Sequence, residues 1–317
     1  MKKLSKSVLA IASAVALSAS FSGSALADSY AFANLNINNL IMSDGNGNAL
    51  TTSFIDPASG NIQLPNGVND TQVNNANLGG VFTQETGTPD SAMACIGECA
   101  IGGNTFTQVP LGTNFSRSDS LITGAVVDID GAGAGATANS VAETQLTTNT
   151  TSNSQSTVAT NTQFFFNLNQ ASQVQFDFTA SGLVEAEQTP DNNVPPSFAQ
   201  ASTAFSIVIR EVDTNAIVFS WAPDGFVGAN ATTTELQDDM AINLTLAATS
   251  AGQLASQAIM GSFSAVSTNA LLAGVDYTLS INHQTNVVAT RDVPEPGMLF
   301  ALALGLMGFA ARKKLQS

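Results

Sequence analysis

Period-two alternation of apolar and polar residues runs through the second half of this chain, and it restricts that half to β-structure. Successive strand side chains point to opposite faces, so alternation builds one buried and one exposed surface. Gln163-Phe164-Phe165-Phe166-Asn167-Leu168 and Val174-Gln175-Phe176-Asp177-Phe178 both follow this pattern, and Asn169-Gln170-Ala171-Ser172 between them reads as a turn. Phe205 to Val212 is a β-branched run that Asp213-Thr214-Asn215 turns into Ala216 to Trp221, and Pro223-Asp224-Gly225 closes it with a tight-turn signal. Ile242 to Leu246 and Val275 to Ile281 supply two more strands. Helical periodicity is scarce. Strands at such close spacing predict a mainly β fold, an antiparallel β-sandwich or jelly-roll-like domain.

The first half gives a weaker signal. Tyr30 to Ile41 alternates well and predicts an opening strand, and Asp44-Gly45-Asn46-Gly47-Asn48 follows as a turn. From residue 42 to 161 the chain is rich in Asn, Thr, Ser, Gly and Ala and reads as long loops, with Leu121 to Ile129 as a candidate strand. Gly131 to Ala136 and the tract Thr147 to Thr157 carry too little apolar surface for a strand to be assigned. The strand-rich part is therefore expected at 162–292.

Both ends look like segments outside the fold. Lys2, Lys3 and Lys6 precede an apolar run from Val8 to Leu17, and small residues ending in Ala25-Leu26-Ala27 follow. Those are the parts of a secretory signal peptide over 1–27, with cleavage between Ala27 and Asp28, which implies signal peptidase and the Sec machinery. At the other end Val293-Pro294-Glu295-Pro296 leads into an apolar run from Gly297 to Ala311 and then Arg312-Lys313-Lys314. As a helix this run rises roughly 22 Å, short of the ~30 Å hydrocarbon core. It makes a marginal span that leans on its basic flank, which is held on the cytoplasmic side.

Between those ends, 28–292 forms an extracytoplasmic region with no lysine and only Arg117, Arg210 and Arg291. Three arginines against 23 acids leave it formally at −20. Such a surface cannot track phosphates, so nucleic acid is excluded as a partner. It suits divalent cations or hydrated polysaccharide instead.

Pro294-Glu295-Pro296, the short apolar run and the basic terminus, paired with a signal peptide, resemble the PEP-CTERM sorting signal that exosortases recognise. The resemblance covers Val293 to Lys314. It implies a Gram-negative bacterium that makes exopolysaccharide, with transient inner-membrane anchoring by the tail of 293–317. Exosortase processing near the Pro-Glu-Pro would follow, with release to the cell surface or extracellular matrix. The region from the opening strand onward also resembles exosortase-dependent surface-associated proteins.

Few residues suggest chemistry. Cys95 and Cys99 are the only cysteines, and in an exported chain an even pair at short spacing reads as a structural disulfide. His283 is the sole histidine and reads as a polar residue at a strand end, with no G-x-S-x-G elbow to make it a base. Absence of lysine from 28–292 excludes Ser-Lys and Schiff-base catalysis there. Asp44 to Asn48 begins like a calcium loop, but Ala49 and Ile55 stand where Gly and the bidentate Glu belong, and Asp128-Ile129-Asp130-Gly131 is shorter still. Both read first as turns and leave calcium open. Asp191-Asn192-Asn193 and Asp238-Asp239 read as acidic turns, and Trp221 as a core residue. No catalytic or cofactor-binding residue is identified. The expected function is non-enzymatic, at the surface or in a polysaccharide matrix, with a calcium-assisted carbohydrate-binding or adhesin module as the alternative.

Overall fold

The structure is a computed structural model that describes residues 29–52, 62–63, 69–87, 93–99, 102–109, 112–147, 152–189 and 197–291. The signal peptide, its cleavage site, Asp191 to Asn193 and the sorting tail lie outside the described residues. Seventeen strands occur among the described residues: β1 (Ser29–Asp44), β2 (Thr51–Thr52), β3 (Ile62–Gln63), β4 (Asn69–Leu78), β5 (Val81–Gly87), β6 (Ala94–Gly97), β7 (Phe115–Thr123), β8 (Asp128–Ile129), β9 (Ala136–Leu146), β10 (Ser152–Leu168), β11 (Val174–Gln188), β12 (Ser197–Glu211), β13 (Ile217–Trp221), β14 (Thr233–Asp238), β15 (Leu244–Ala248), β16 (Leu254–Ser267) and β17 (Tyr277–Arg291). The described residues contain no helix, as the alternation requires, and none that is long and apolar enough to cross a membrane.

The strands form two sheets. One runs β14-β16-β11-β1-β9-β7-β6, the other β13-β12-β17-β10 and on through the short β3, β2 and β8, with β15 also on β12 and β4-β5 on β10. All pairings are antiparallel except those of β2 with β3 and β8. The sheets face each other, β1 and β11 over β12, and β9 and β7 over β17, β10 and β4.

Two kinds of interior hold them together. Around β1, β11, β12 and β16 the inward rows are large and apolar, including Leu35, Ile37, Phe176, Phe205 and Ile207. Phe178 is the hub, its ring 4.9 Å from Phe205, 5.0 Å from Phe263 and 5.4 Å from Trp221. Tilted and offset rings at such distances add attraction beyond area burial, and Trp221 is a core residue, as expected.

At the other end, where β7 and β9 meet β4 and β10, the interior is a hydroxyl seam. Ser116 Oγ donates to the Gln155 carbonyl at 2.8 Å, and Ser120 Oγ to Gln72 Oε1 at 2.7 Å. Ser156 donates to the Arg117 carbonyl, and the Thr144 and Ser154 hydroxyls bond each other. Serines reach the opposing backbone because their small side chains let the sheets approach, and these buried hydroxyls find partners there, Ser118 Oγ being an exception with none among the described residues.

This seam explains why part of 42–161 reads as loop but folds as strand. The tract Thr147 to Thr157 enters β10 from residue 152, where Ser154 and Ser156 are buried by hydrogen bonding rather than by apolar area. Leu121 to Ile129 is not one strand; β7 ends at Thr123, and β8 takes only Asp128 and Ile129. A second correction concerns Asn169 to Ser172. The segment does not close a hairpin but carries the chain from one sheet to the other at the surface, since β10 pairs with β17 whereas β11 pairs with β1 and β16. The β12–β13 hairpin, by contrast, forms as expected over Asp213 to Asn215, with Asn215 left-handed at φ 56°.

Candidate functional site

The residues singled out in the sequence do not converge. Cys95 and Cys99 bring their sulfurs to disulfide distance at β6, with Cα atoms 6.3 Å apart. Asp44 spends its carboxylate on its own turn, accepting from the Asn46 and Asn48 backbone N–H groups at 2.9 Å each and from Asn48 Nδ2 at 3.0 Å. The Asn48 amide chiefly holds its pKa below the ordinary value. Asp128 accepts from the Gly133 N–H at 2.8 Å. Both segments are turns, and neither joins a group of three close acidic ligands among the described residues.

His283 departs from expectation. It lies in the middle of β17 and is 2 % exposed, because that strand runs ten residues beyond the alternating stretch to Arg291. Its Nε2 is 3.1 Å from Ser140 Oγ across the sheets, while Nδ1 has no hydrogen-bond partner among the described residues. Burial depresses its pKa to about 4, opposed by a hydrogen bond with the Leu35 backbone. No carboxylate orients the ring, so the distance to Ser140 does not make a triad. A cavity of about 30 Å³ adjoins it, lined also by Asp70, Thr160 and Thr162. Burial raises the Asp70 pKa, and the Thr162 hydroxyl, 2.5 Å away, partly offsets that.

The densest polar cluster covers the outer side of the seven-stranded sheet. Arg117 on β7 and Glu143 on β9, both fully buried, form the one salt bridge among the described residues, with Nε 2.6 Å from Oε2. The guanidinium also donates to the carbonyls of Thr105 (2.8 Å) and Thr107 (2.6 Å), and Glu143 Oε1 accepts from the Tyr30 hydroxyl (2.6 Å) and the Val109 N–H (2.9 Å). Burial, reinforced by Glu143, holds the Tyr30 phenol protonated well above its ordinary pKa. Asp119 accepts from the Asn104 N–H at 2.5 Å; burial raises its pKa, and the Asn104 and Thr105 N–H groups lower it in part. The cluster pins segment 102–109 over β1, β7 and β9, with Phe106 on Tyr30, Phe32 and Val141. Its bonds are consumed internally, so it is a clamp.

One constellation escapes sequence reading. Asp224 follows β13, while Glu235 and Asp238 lie on β14, and ligand oxygens from the three sit within 4.8 Å of one another. Residues three apart on a regular strand face opposite ways, but a bulge between Glu235 and Gln237 brings Glu235 and Asp238 to one side. Each acid is oriented by backbone N–H groups: Asp238 Oδ2 by those of Asp224 (2.9 Å) and Gly225 (3.0 Å), Asp224 Oδ1 by Phe226 (3.0 Å), Glu235 Oε2 by Gly228 (2.8 Å). Gly225 is required there, at φ +90°, since a Cβ would meet the Ala241 nitrogen at 2.8 Å. Burial raises the Glu235 pKa, with Asp238 and Asp224 adding repulsion and the Gly228 N–H and Trp221 indole easing it. Asp239, adjacent in sequence, points elsewhere and accepts from the Ser262 N–H at 2.8 Å.

Comparison with known proteins adds one match. Residues 292–314 match the family model of the PEP-CTERM protein-sorting motif, which contains the predicted Val293, Pro294, Glu295, Pro296, Arg312, Lys313 and Lys314. No curated protein and no solved structure matches the chain. The motif marks an exported protein sorted in an exosortase-dependent way to the cell surface.

Proposed function

We propose that this chain is a non-enzymatic surface or matrix protein. The exported part is a single β-sandwich, anchored briefly by its apolar tail, released by exosortase near Pro294-Glu295-Pro296, and working in or beside extracellular polysaccharide. The carrying observation is the sorting motif at 292–314. It is tested by intact-mass measurement on protein recovered from the cell surface or medium. The expected species starts at Asp28 and ends near the Pro-Glu-Pro; recovery of Arg312-Lys313-Lys314 in that fraction would sink the reading.

A feature of the larger sheet supports polysaccharide as its surroundings. Rows of residues pair across the outward positions of β4, β10, β17 and β12: Asn75, Thr157, Asn286 and Ser202 in one row, Thr71, Asn161, Asn282 and Ser206 in another. Side chains bond along these rows, Thr157 Oγ1 to Asn286 Oδ1 at 2.7 Å and Asn161 Nδ2 to Asn282 Oδ1 at 2.7 Å. The outward positions from 71 to 77, 153 to 163, 200 to 208 and 280 to 288 carry no charge. In a region of formal charge −20, an amide and hydroxyl face of this kind suits neutral glycan hydroxyls. The same face favours the second reading, a carbohydrate-binding module. Co-sedimentation with the producing strain's own polysaccharide separates the two: saturable binding weakened by Asn161→Asp and Asn282→Asp supports the module, and unsaturable retention supports a matrix component.

A further inference from the structure

We propose that Asp224, Glu235 and Asp238 form a calcium site. The proposal is independent of the sorting reading and of any glycan.

The arrangement is built, not incidental. Each carboxylate has one oxygen fixed by backbone N–H groups, and Asp238 Oδ1 has no hydrogen-bond partner among the described residues. Asp238 supplies the deciding observation: it is 6 % exposed, and its Oδ1 is shielded from water with no partner. A buried, unpaired carboxylate oxygen carries a desolvation penalty, which the two N–H groups on Oδ2 do not reach directly. Three acids converge here with no salt bridge to any of them among the described residues, Arg117 being engaged by Glu143. A cation bound among them removes both costs.

The donor set selects the ion. All three ligands are carboxylate oxygens, with neither the sole histidine nor the cysteine pair at hand, which disfavours zinc and copper. Oxygens that share an ion at the 2.3–2.6 Å calcium distance can be no farther apart than about 5 Å, and these lie within 4.8 Å of one another. Asp224 is exposed and leaves one side of the group open to solvent. Calcium accepts water and irregular geometry for its remaining positions, whereas magnesium demands a near-ideal octahedron. Affinity is expected in the range typical of extracellular calcium modules, about 10⁻⁴ to 10⁻³ M.

Trp221, the sole tryptophan, makes the site observable, because its buried indole N–H, although unbonded at normal hydrogen-bond distance, lies near enough to Glu235 to ease that carboxyl. Terbium is added to the full chain in detergent, and its emission is followed under selective tryptophan excitation. Saturable sensitised emission displaced by calcium is expected, together with a calcium-dependent rise in melting temperature. Glu235→Gln weakens apparent affinity at least about tenfold, Asp224→Asn with Glu235→Gln abolishes the emission, and Asp44→Asn leaves it unchanged. In chelator, Glu235→Gln melts at or above the wild-type temperature, since repulsion is relieved, so the single variant decides the matter even if the double one does not fold. Absence of sensitised emission from the wild type, or its persistence at full affinity in Glu235→Gln, overturns the site.

Discussion

Arg117 Nε lies 2.6 Å from Glu143 Oε2, and neither side chain reaches solvent. Removing one partner strands a buried charge, so Arg117→Met is expected to cost about 3–5 kcal/mol. The doubly apolar variant, Arg117→Met with Glu143→Leu, is expected to recover part of that loss, because no unpaired ion remains although the Tyr30 hydroxyl, the Val109 N–H and the Thr105 and Thr107 carbonyls lose their partners. Denaturant unfolding of the three proteins measures both steps; a single variant as stable as the double would show that the pair is not coupled.

His283 makes acid stability predictable. Its folded pKa of about 4 lies below the ordinary 6.5, so the unfolded chain takes up the proton first. Its effect on stability is therefore absent above pH 6.5 and grows as a penalty as pH falls toward 4, then levels off. The total is on the order of 3 kcal/mol. Asp70 on the same cavity, its pKa raised by burial, acts with the opposite sign as pH falls. The difference between wild type and His283→Gln across pH 4–7 isolates the histidine term; a flat difference would contradict its neutral burial.

Gly182 on β11 pairs with Leu35 on β1 with no space for a side chain, since a Cβ there would sit 2.4 Å from the Asn34 carbonyl oxygen. Backbone cannot yield as a flexible side chain can. Gly182→Ala is expected to destabilise by about 1–3 kcal/mol, read as a lowered melting temperature, while Gly102→Ala, whose Cβ would meet nothing within 4 Å, is expected to be neutral.

Cys95 and Cys99 are expected to resist alkylation of the exported protein unless a reductant is present. Their closed loop is so short that reduction removes only about 2 kcal/mol in the entropic account. Labelling of both without reductant would defeat the disulfide assignment.

Replacing Pro294-Glu295-Pro296 by three alanines is expected to leave the chain in the membrane fraction with its basic terminus intact. Release at the wild-type rate would show that processing does not read those residues.

The legible parts of the molecule were those where chemistry and geometry are local. The β12–β13 hairpin follows from β-branched runs about Asp213-Thr214-Asn215, and Trp221 reads as core from its alternation with Phe219. Asn169 to Ser172 breaks the chain between two strands as its polar residues announce, but such a break does not say which sheet receives the next strand. Ser154 and Ser156 misled because hydroxyls bury themselves only when an opposing sheet supplies the partner, and Gln155, with its outward side chain, looks the same either way. His283 was misplaced by the length of β17, whose final residues are held by pairing with β10 and β12 more than by their own alternation. The acidic group was illegible for a related reason: Asp224 meets Glu235 and Asp238 only through a turn, a bulge and two strand edges.

β1 sits in the middle of its sheet, between β11 and β9, and all but one of its residues are buried or half-buried. Ser29 is paired with Gln188 across 159 residues of sequence. A chain threaded out of the cell amino end first therefore delivers its central plank long before either neighbour arrives. Loop closure of that span makes assembly slow, and until then a sticky, unpaired ribbon waits outside the membrane.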